Sequence, residues 1–105
     1  MSNSIRSPVA GLRNVSKEDM LVHGYGACPG CGYAVTARNI AKILGPETVV
    51  YVPASCLTVF SALYPTSAWR IPFLYTAFEN TGAVITGLKA AYRRRGIEAN
   101  VVGMA

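Results

Sequence analysis

From Tyr33 onward the apolar positions keep a helical rhythm. Ala37, Ile40, Ala41 and Leu44 fall at i, i+3, i+4 and i+7, and Gly45-Pro46 stops the run, so a helix is predicted over 33–44. Thr48 to Val52 is a short β-branched stretch that reads as a buried strand ended by Pro53. Leu57 to Phe78 has no clean period. Pro65 and Pro72 break it, and its aromatic residues suggest irregular packing around a short strand at 73–76. Glu79 to Arg95 is the clearest helix, with Ala83, Val84, Gly87, Leu88, Ala91 and Tyr92 as one stripe and Gly96 as its C-cap. Val101 and Val102 mark a last strand, giving a βαβ crossover in a parallel sheet. Upstream, 1–15 reads as a flexible arm, Ser16 as the start of a single helical turn, and 23–32, with four glycines and a proline, as loop. The domain proper is thus expected over 16–105.

Composition fits this α/β reading: 51% of the 105 residues are apolar and only 14% charged, enough for one modest core and too little polarity for disorder. The net charge of +5 has a single cluster, Arg93 to Arg95, with no interleaved aromatic residues, so nucleic-acid binding is not expected. Those arginines suit the negative end of a helix dipole, with an acidic protein partner as the other reading. Residues 1–20 contain no signal-peptide core, and the most apolar stretch, 49–64, falls short of a membrane span. A reducing, cytoplasmic setting with no membrane association is expected, and Asn14-Val15-Ser16 is read as a chance glycosylation match.

In that setting the cysteines matter most. Cys28-Pro29-Gly30-Cys31 and Cys56 are the only three, one short of the four that close a zinc site or hold an iron–sulfur cluster. Pro and Gly force a tight turn that sets both sulfurs to one side and frees N–H groups to donate to sulfur. Cys56 lies just past the predicted strand, at the end of a parallel sheet where ligands gather, and meets the other two if helix 33–44 folds back beside that strand. Rival readings stand beside this one. A zinc ribbon needs a second C-x-x-C. A thioredoxin-like dithiol needs a strand leading into the cysteines, which 23–26 supplies poorly, although Ile71-Pro72 lies at a suitable distance for its proline. In the plainest case Cys56 is a small buried residue and the C-x-x-C is incidental. The incomplete thiol set and the apolar run 100–105 together suggest the first part of a longer polypeptide.

Gly26-Ala-Cys-Pro-Gly-Cys-Gly32, Ala54-Ser-Cys-Leu-Thr-Val-Phe60, Tyr64-Pro-Thr-Ser-Ala-Trp-Arg70 and Phe78-Glu-Asn80, in this order, resemble the β subunit of 2-oxoacid:ferredoxin oxidoreductases, pyruvate synthases above all. The likeness runs from about Ser16 to the last residue. It implies a truncated thiamine-diphosphate-binding α/β fold, with Cys28, Cys31 and Cys56 holding a [4Fe–4S] cluster beside the thiamine and a fourth cysteine further along. It also implies Mg2+ and diphosphate bound by a Gly-Asp-Gly segment beyond Ala105. The activity implied is oxidative decarboxylation of pyruvate or a related 2-oxoacid with coenzyme A, and electrons leaving through the cluster to ferredoxin. The implied partners are α-, γ- and δ-type subunits of the same enzyme. Cys56 and Asn80 are the candidates for lying next to thiamine, and no side chain here is expected to act as acid or base. Tyr33 departs from the pattern, standing where many members carry Glu. A small zinc-binding or dithiol module working without thiamine is the alternative.

Other residues carry two readings each. Asn80 either caps its helix or faces the thiamine diphosphate from a helix N-terminus. Glu79 reads as dipole compensation in the first turn. Trp69 and Arg70 form a structural aromatic corner or line a site. His23 contributes a hydrogen bond or packing, or serves as a ligand. Tyr51, Tyr64, Tyr75 and Tyr92 read as core and interface filler. No Ser-His-Asp, H-E-x-x-H or phosphate-loop pattern occurs.

Overall fold

The computed structural model describes Gly11 and residues 14–105. Six elements follow in order: α1 (Gly32–Leu44), β1 (Thr48–Tyr51), α2 (Cys56–Ser61), β2 (Phe73–Leu74), α3 (Thr81–Arg95) and β3 (Asn100–Gly103). The strands make one parallel sheet in the order β2-β1-β3, with Val50 opposite Phe73 and Val102. The α/β class and the parallel sheet are as the apolar pattern indicates. The crossover through α3 joins the two edge strands and steps over β1.

Each boundary has a local cause. Gly45, at φ 80°, donates its N–H to Ala41 O at 3.0 Å and turns the chain out of α1. Gly96, at φ 70°, and Ile97 close α3 by returning N–H bonds to Arg93 and Tyr92, the paired C-terminal bonds that favour glycine. β1 stops because Pro53 has no N–H to continue the ladder. That also explains why β2 is two residues long where 73–76 was expected: the last bond is Val52 N–H to Leu74 O, and Tyr75 and Thr76 have no strand beside them.

All four residues of β1 are buried. From α1, Ala34, Ala37, Ala41 and Leu44 are buried, and the three alanines join Val50 and Val52 in one apolar cluster. Met20, Leu21, Leu57, Phe60, Trp69, Ile71 and Met104 complete the core. Burial of side chains of this size contributes about 1.5–3 kcal/mol each for the larger ones. At the opposite end of the sheet, buried Asn100 is satisfied by bonds from Nδ2 to Leu44 O and Thr48 Oγ1, both 3.4 Å.

Three local expectations change. The turn at Ser16 is not helical; Ser16 Oγ instead accepts the Glu18 N–H at 3.1 Å, a side-chain-closed bend that competes with helix. A helix, α2, forms within the stretch left unassigned. Finally, α3 buries none of its residues fully: Val84, Ile85, Leu88 and Tyr92 are half-buried, while Ala83, Gly87 and Ala91 face solvent. The sheet beneath is only three strands wide, so it covers half of the predicted stripe. The arm at 1–15 lies largely outside the described residues.

Candidate functional site

The site is built where the sheet's carboxyl edge meets the starts of the three helices. Parallel strands put their carboxyl ends on one side, and α2 and α3 begin shortly after β1 and β2. α1 reaches the same edge by hydrogen bonding: Tyr33 Oη donates to Met104 O at 3.1 Å, and Met104 N–H donates to Tyr51 O at 2.9 Å. Crevices outside the carboxyl ends of parallel strands, rimmed by helix N-termini, are where α/β sheets bind ligands.

Asn80 sits at the cap position of α3 and does not cap it. Its Oδ1 accepts from Tyr51 Oη at 2.6 Å and from Thr76 Oγ1 at 2.9 Å, and no side-chain bond reaches the first-turn N–H groups. The simple capping reading is thereby set aside. Tyr51 and Thr76 hydroxyls lie 2.8 Å apart, so three oxygens form a triangle fed by two hydroxyl protons. Tyr51, read from sequence as filler, is fully buried and anchors this polar group. A signal for it was present: a tyrosine in a strand with no exposed residue must find a partner for its hydroxyl. Thr81, next in the chain, has a buried Oγ1 without a hydrogen bond, as does Ser55 Oγ just before α2. Buried oxygens left open in this way are uncommon in folded chains. Glu79 precedes the cap, so it does not lie in the first helical turn.

The three thiols are free. Cys28 and Cys31 share one turn, closed by Cys31 N–H to Cys28 O at 3.1 Å, with Gly30 at φ 70°. Cys31 is the residue before α1 and is half-buried, whereas Cys28 is exposed. Cys56 opens α2 and is exposed. The cysteine loop and α2 are neighbours, since the Tyr25 ring lies 5.4 Å from that of Phe60, one helical turn beyond Cys56. Thiolates are suitable donors for iron or zinc. Yet among the described residues no group of three or more His, Cys, Asp or Glu side chains is placed to hold a metal ion. The structure therefore brings Cys28 and Cys31 together and does not gather Cys56 with them into one metal-holding shell.

Trp69 is buried, donates from Nε1 to Ser61 Oγ at 2.9 Å and stacks on Phe73 at 5.5 Å, which makes it the aromatic corner. Arg70 is exposed, and its N–H pairs with Met20 O in a short bridge that ties the N-terminal segment to residues 68–70. His23 is largely exposed and stands 3.7 Å from Asp19. Asp19, which sequence reading passed over, is the hub of an ion-pair cluster. Arg38 grips both its oxygens at 2.9 Å and Lys42 lies 3.1 Å away. The bonds from Arg38, then from Lys42, hold its carboxyl well below the usual carboxylate range. Arg93 to Arg95 are exposed at the end of α3. A groove of about 830 Å³ runs between α1, α3 and β3, lined by residues such as Ile40, Ile85 and Val102; none of the cysteines lines it. No described helix is long and apolar enough to cross a membrane.

Over 92 residues, 87% of this chain, it is 42% identical to pyruvate synthase subunit PorB of Methanothermobacter marburgensis, covering 32% of that protein. It is 40% identical over 80 residues to the PorB subunit of Thermotoga maritima, covering 73% of this chain and 25% of the relative. It is also 39% identical over 79 residues to ketoisovalerate oxidoreductase subunit VorB of Pyrococcus abyssi, at 75% and 25% coverage. The chain is a relative of the 2-oxoacid:ferredoxin oxidoreductase β subunits. It spans about a third or less of the length of the curated relatives it matches. No family model matches it. The similarity agrees with the resemblance carried by the cysteine, Ala54–Phe60, Tyr64–Arg70 and Phe78–Asn80 motifs.

Proposed function

We propose that this chain is part of the β subunit of an enzyme that decarboxylates pyruvate or a related 2-oxoacid oxidatively, forming acyl-coenzyme A and passing electrons to ferredoxin. The observation that carries the proposal is the meeting of three helix starts at one sheet edge, in a chain 42% identical to a pyruvate synthase subunit. The alternative substrate, a branched 2-oxoacid, draws support from similarity to the ketoisovalerate oxidoreductase subunit.

In this reading the chain's own part is positional. The uncapped start of α3 offers first-turn N–H groups to an anionic cofactor, proposed as thiamine diphosphate with Mg2+ held by residues outside this chain. When bound, thiamine supplies the electron sink for decarboxylation. Tyr51 and Thr76 fix the Asn80 carbonyl oxygen, leaving the amide nitrogen, which has no partner among the described residues, for a ligand. Cys28, Cys31 and Cys56 are the proposed thiolate ligands of a [4Fe–4S] cluster in the assembled enzyme. Among the described residues the three sulfurs do not yet share one shell, so cluster binding in this reading brings Cys56 to the Cys28–Cys31 turn. The α-, γ- and δ-type subunits, ferredoxin and a cytoplasmic setting belong to the same proposal.

The test is anaerobic reconstitution of the full-length protein with its companion subunits, iron and sulfide. About four irons per β subunit, a cluster signal in electron paramagnetic resonance, and thiamine-dependent dye reduction by pyruvate or 2-oxoisovalerate are the expected results. One zinc per chain without iron, and no thiamine dependence, would overturn the reading in favour of a small metal or dithiol module.

A further inference from the structure

We propose that Cys28 and Cys31 close a reversible disulfide with each other, making the turn an oxidation site that takes these sulfurs away from any metal. The inference is independent of the proposed enzyme activity. It rests on the turn: Pro29 at its second position, Gly30 at its third with φ 70°, and the Cys31 N–H bonded to Cys28 O at 3.1 Å. That is the signature of a type II turn, whose end Cα atoms lie within about 7 Å. Disulfides bridge Cα separations up to about 6.8 Å, so closure needs little backbone movement. Pro29 has already fixed its φ, and Gly30 takes the left-handed conformation without strain, so most of the ordering that ring closure demands is present in the reduced chain. Cys56 belongs to a different element and is not gathered with the pair.

Accessibility sets the order of events. Cys28 is exposed and Cys31 half-buried. With a small-molecule disulfide as oxidant, the Cys28 sulfur attacks one of its sulfurs, forming a mixed disulfide and releasing one small thiol. The Cys31 sulfur then attacks Cys28 Sγ, expelling the second thiol. The pair loses two electrons, the oxidant gains them, and the two cysteine protons leave on the two released thiols. An oxidised chain has lost both thiolates of its loop and takes up no thiolate-bound metal until it is reduced.

The test equilibrates the metal-free, full-length protein in anaerobic glutathione buffers, then quenches with acid, alkylates and maps the thiols by mass spectrometry. Cys28 and Cys31 are expected to become unreactive together, linked within one peptide, while Cys56 stays alkylated. Cys31→Ser should leave Cys28 carrying glutathione. Gly30→Val places its Cβ with nothing beyond the chain neighbours within 4 Å, but opposes the positive φ. It should require a roughly tenfold more oxidising buffer. A bridge that includes Cys56, glutathione on both loop cysteines without a bridge, or Gly30→Val oxidising as readily as the parent would each overturn the proposal. None of these readouts depends on enzyme activity.

Discussion

The Tyr51 hydroxyl donates to Asn80 Oδ1 at 2.6 Å, joining the last residue of the central strand to the residue before α3. This bond holds the helix start at the sheet edge without using the helix's own N–H groups. Tyr51→Phe removes it but leaves the Thr76 bond to the same oxygen. The expected loss is about 1 kcal/mol, the worth of one hydrogen bond, with little change in the apolar packing of the ring. Denaturant unfolding of the full-length protein measures it. Faster amide exchange at Thr81 and Gly82, with α1 unaffected, would locate the effect at the start of α3.

Asn80→Asp separates holding the helix from holding a ligand. A carboxylate accepts the Tyr51 and Thr76 bonds as well as the amide oxygen does, and negative charge suits a helix N-terminus, so stability should hold or rise slightly. The variant lacks the amide donor and places a charge beside the proposed diphosphate. Like charges a few ångströms apart cost on the order of 1 kcal/mol or more, so thiamine diphosphate should bind about tenfold more weakly. Calorimetric titration of the assembled enzyme checks this. Unchanged affinity would assign Asn80 to structure alone.

Much of this edge was legible in the sequence, and the omissions have physical causes. The β-branched run before Pro53 and the Gly45 and Gly96 stops place β1, α1 and α3 to within a residue or two, because each depends on local chemistry. α2 was missed since a six-residue helix carries less than two turns of pattern, and its last residue, Ser61, meets Trp69 only across a loop. The solvent exposure of Ala83, Gly87 and Ala91 could not be read from spacing, because it is set by the width of the sheet. Of the site residues, the Cys28–Cys31 turn follows from Pro-Gly alone. Whether Cys56 joins it depends on how α2 is set against the loop, which no local pattern encodes.

Gly103 ends β3 directly under α3. A Cβ there would stand 2.6 Å from Thr81 Cγ2 and 3.2 Å from Ile85 Cγ2. Gly103→Ala should therefore push the helix start away from the sheet, at the roughly 1–3 kcal/mol typical of overpacking. The closer clash is with a single methyl group, so Thr81→Ser should recover most of the loss, and a double-mutant cycle should return a coupling of about 1 kcal/mol or more. Additive effects would mean that Ile85 or the backbone resists instead.

Trp69 is the sole tryptophan, so intrinsic emission reports the corner where its Nε1 meets Ser61 Oγ at 2.9 Å. Ser61→Ala strands a buried indole N–H, at a cost of about 1–3 kcal/mol. Trp69→Phe combined with Ser61→Ala removes both partners and should cost less than the two single changes summed, apart from the volume lost. Chemical unfolding of the four proteins, with the tryptophan signal replaced by circular dichroism where needed, tests the coupling.

The cluster around Asp19 predicts how the N-terminal segment responds to acid. Arg38 and Lys42 hold the Asp19 carboxyl well below its ordinary range in the folded chain, while the unfolded chain returns it to about 3.8. A carboxylate depressed on folding contributes stability that is fully present above its unfolded pKa. That contribution fades as pH falls from about 5 toward the folded value, because the unfolded state then binds the proton first. The sign is thus toward lower stability in acid and none above neutrality, where Asp19 is ionised in both states. Asp19→Asn should lose the neutral-pH contribution and flatten the acid limb between about pH 5 and 2, so that the two curves converge at low pH. Both Arg38 and His23 are partly or largely exposed, so added salt should shrink the difference. Parallel acid titrations of unfolding free energy for the two proteins decide it: curves that keep a constant separation down to pH 2 would show that Asp19 acts through packing and hydrogen bonding, and not through its charge.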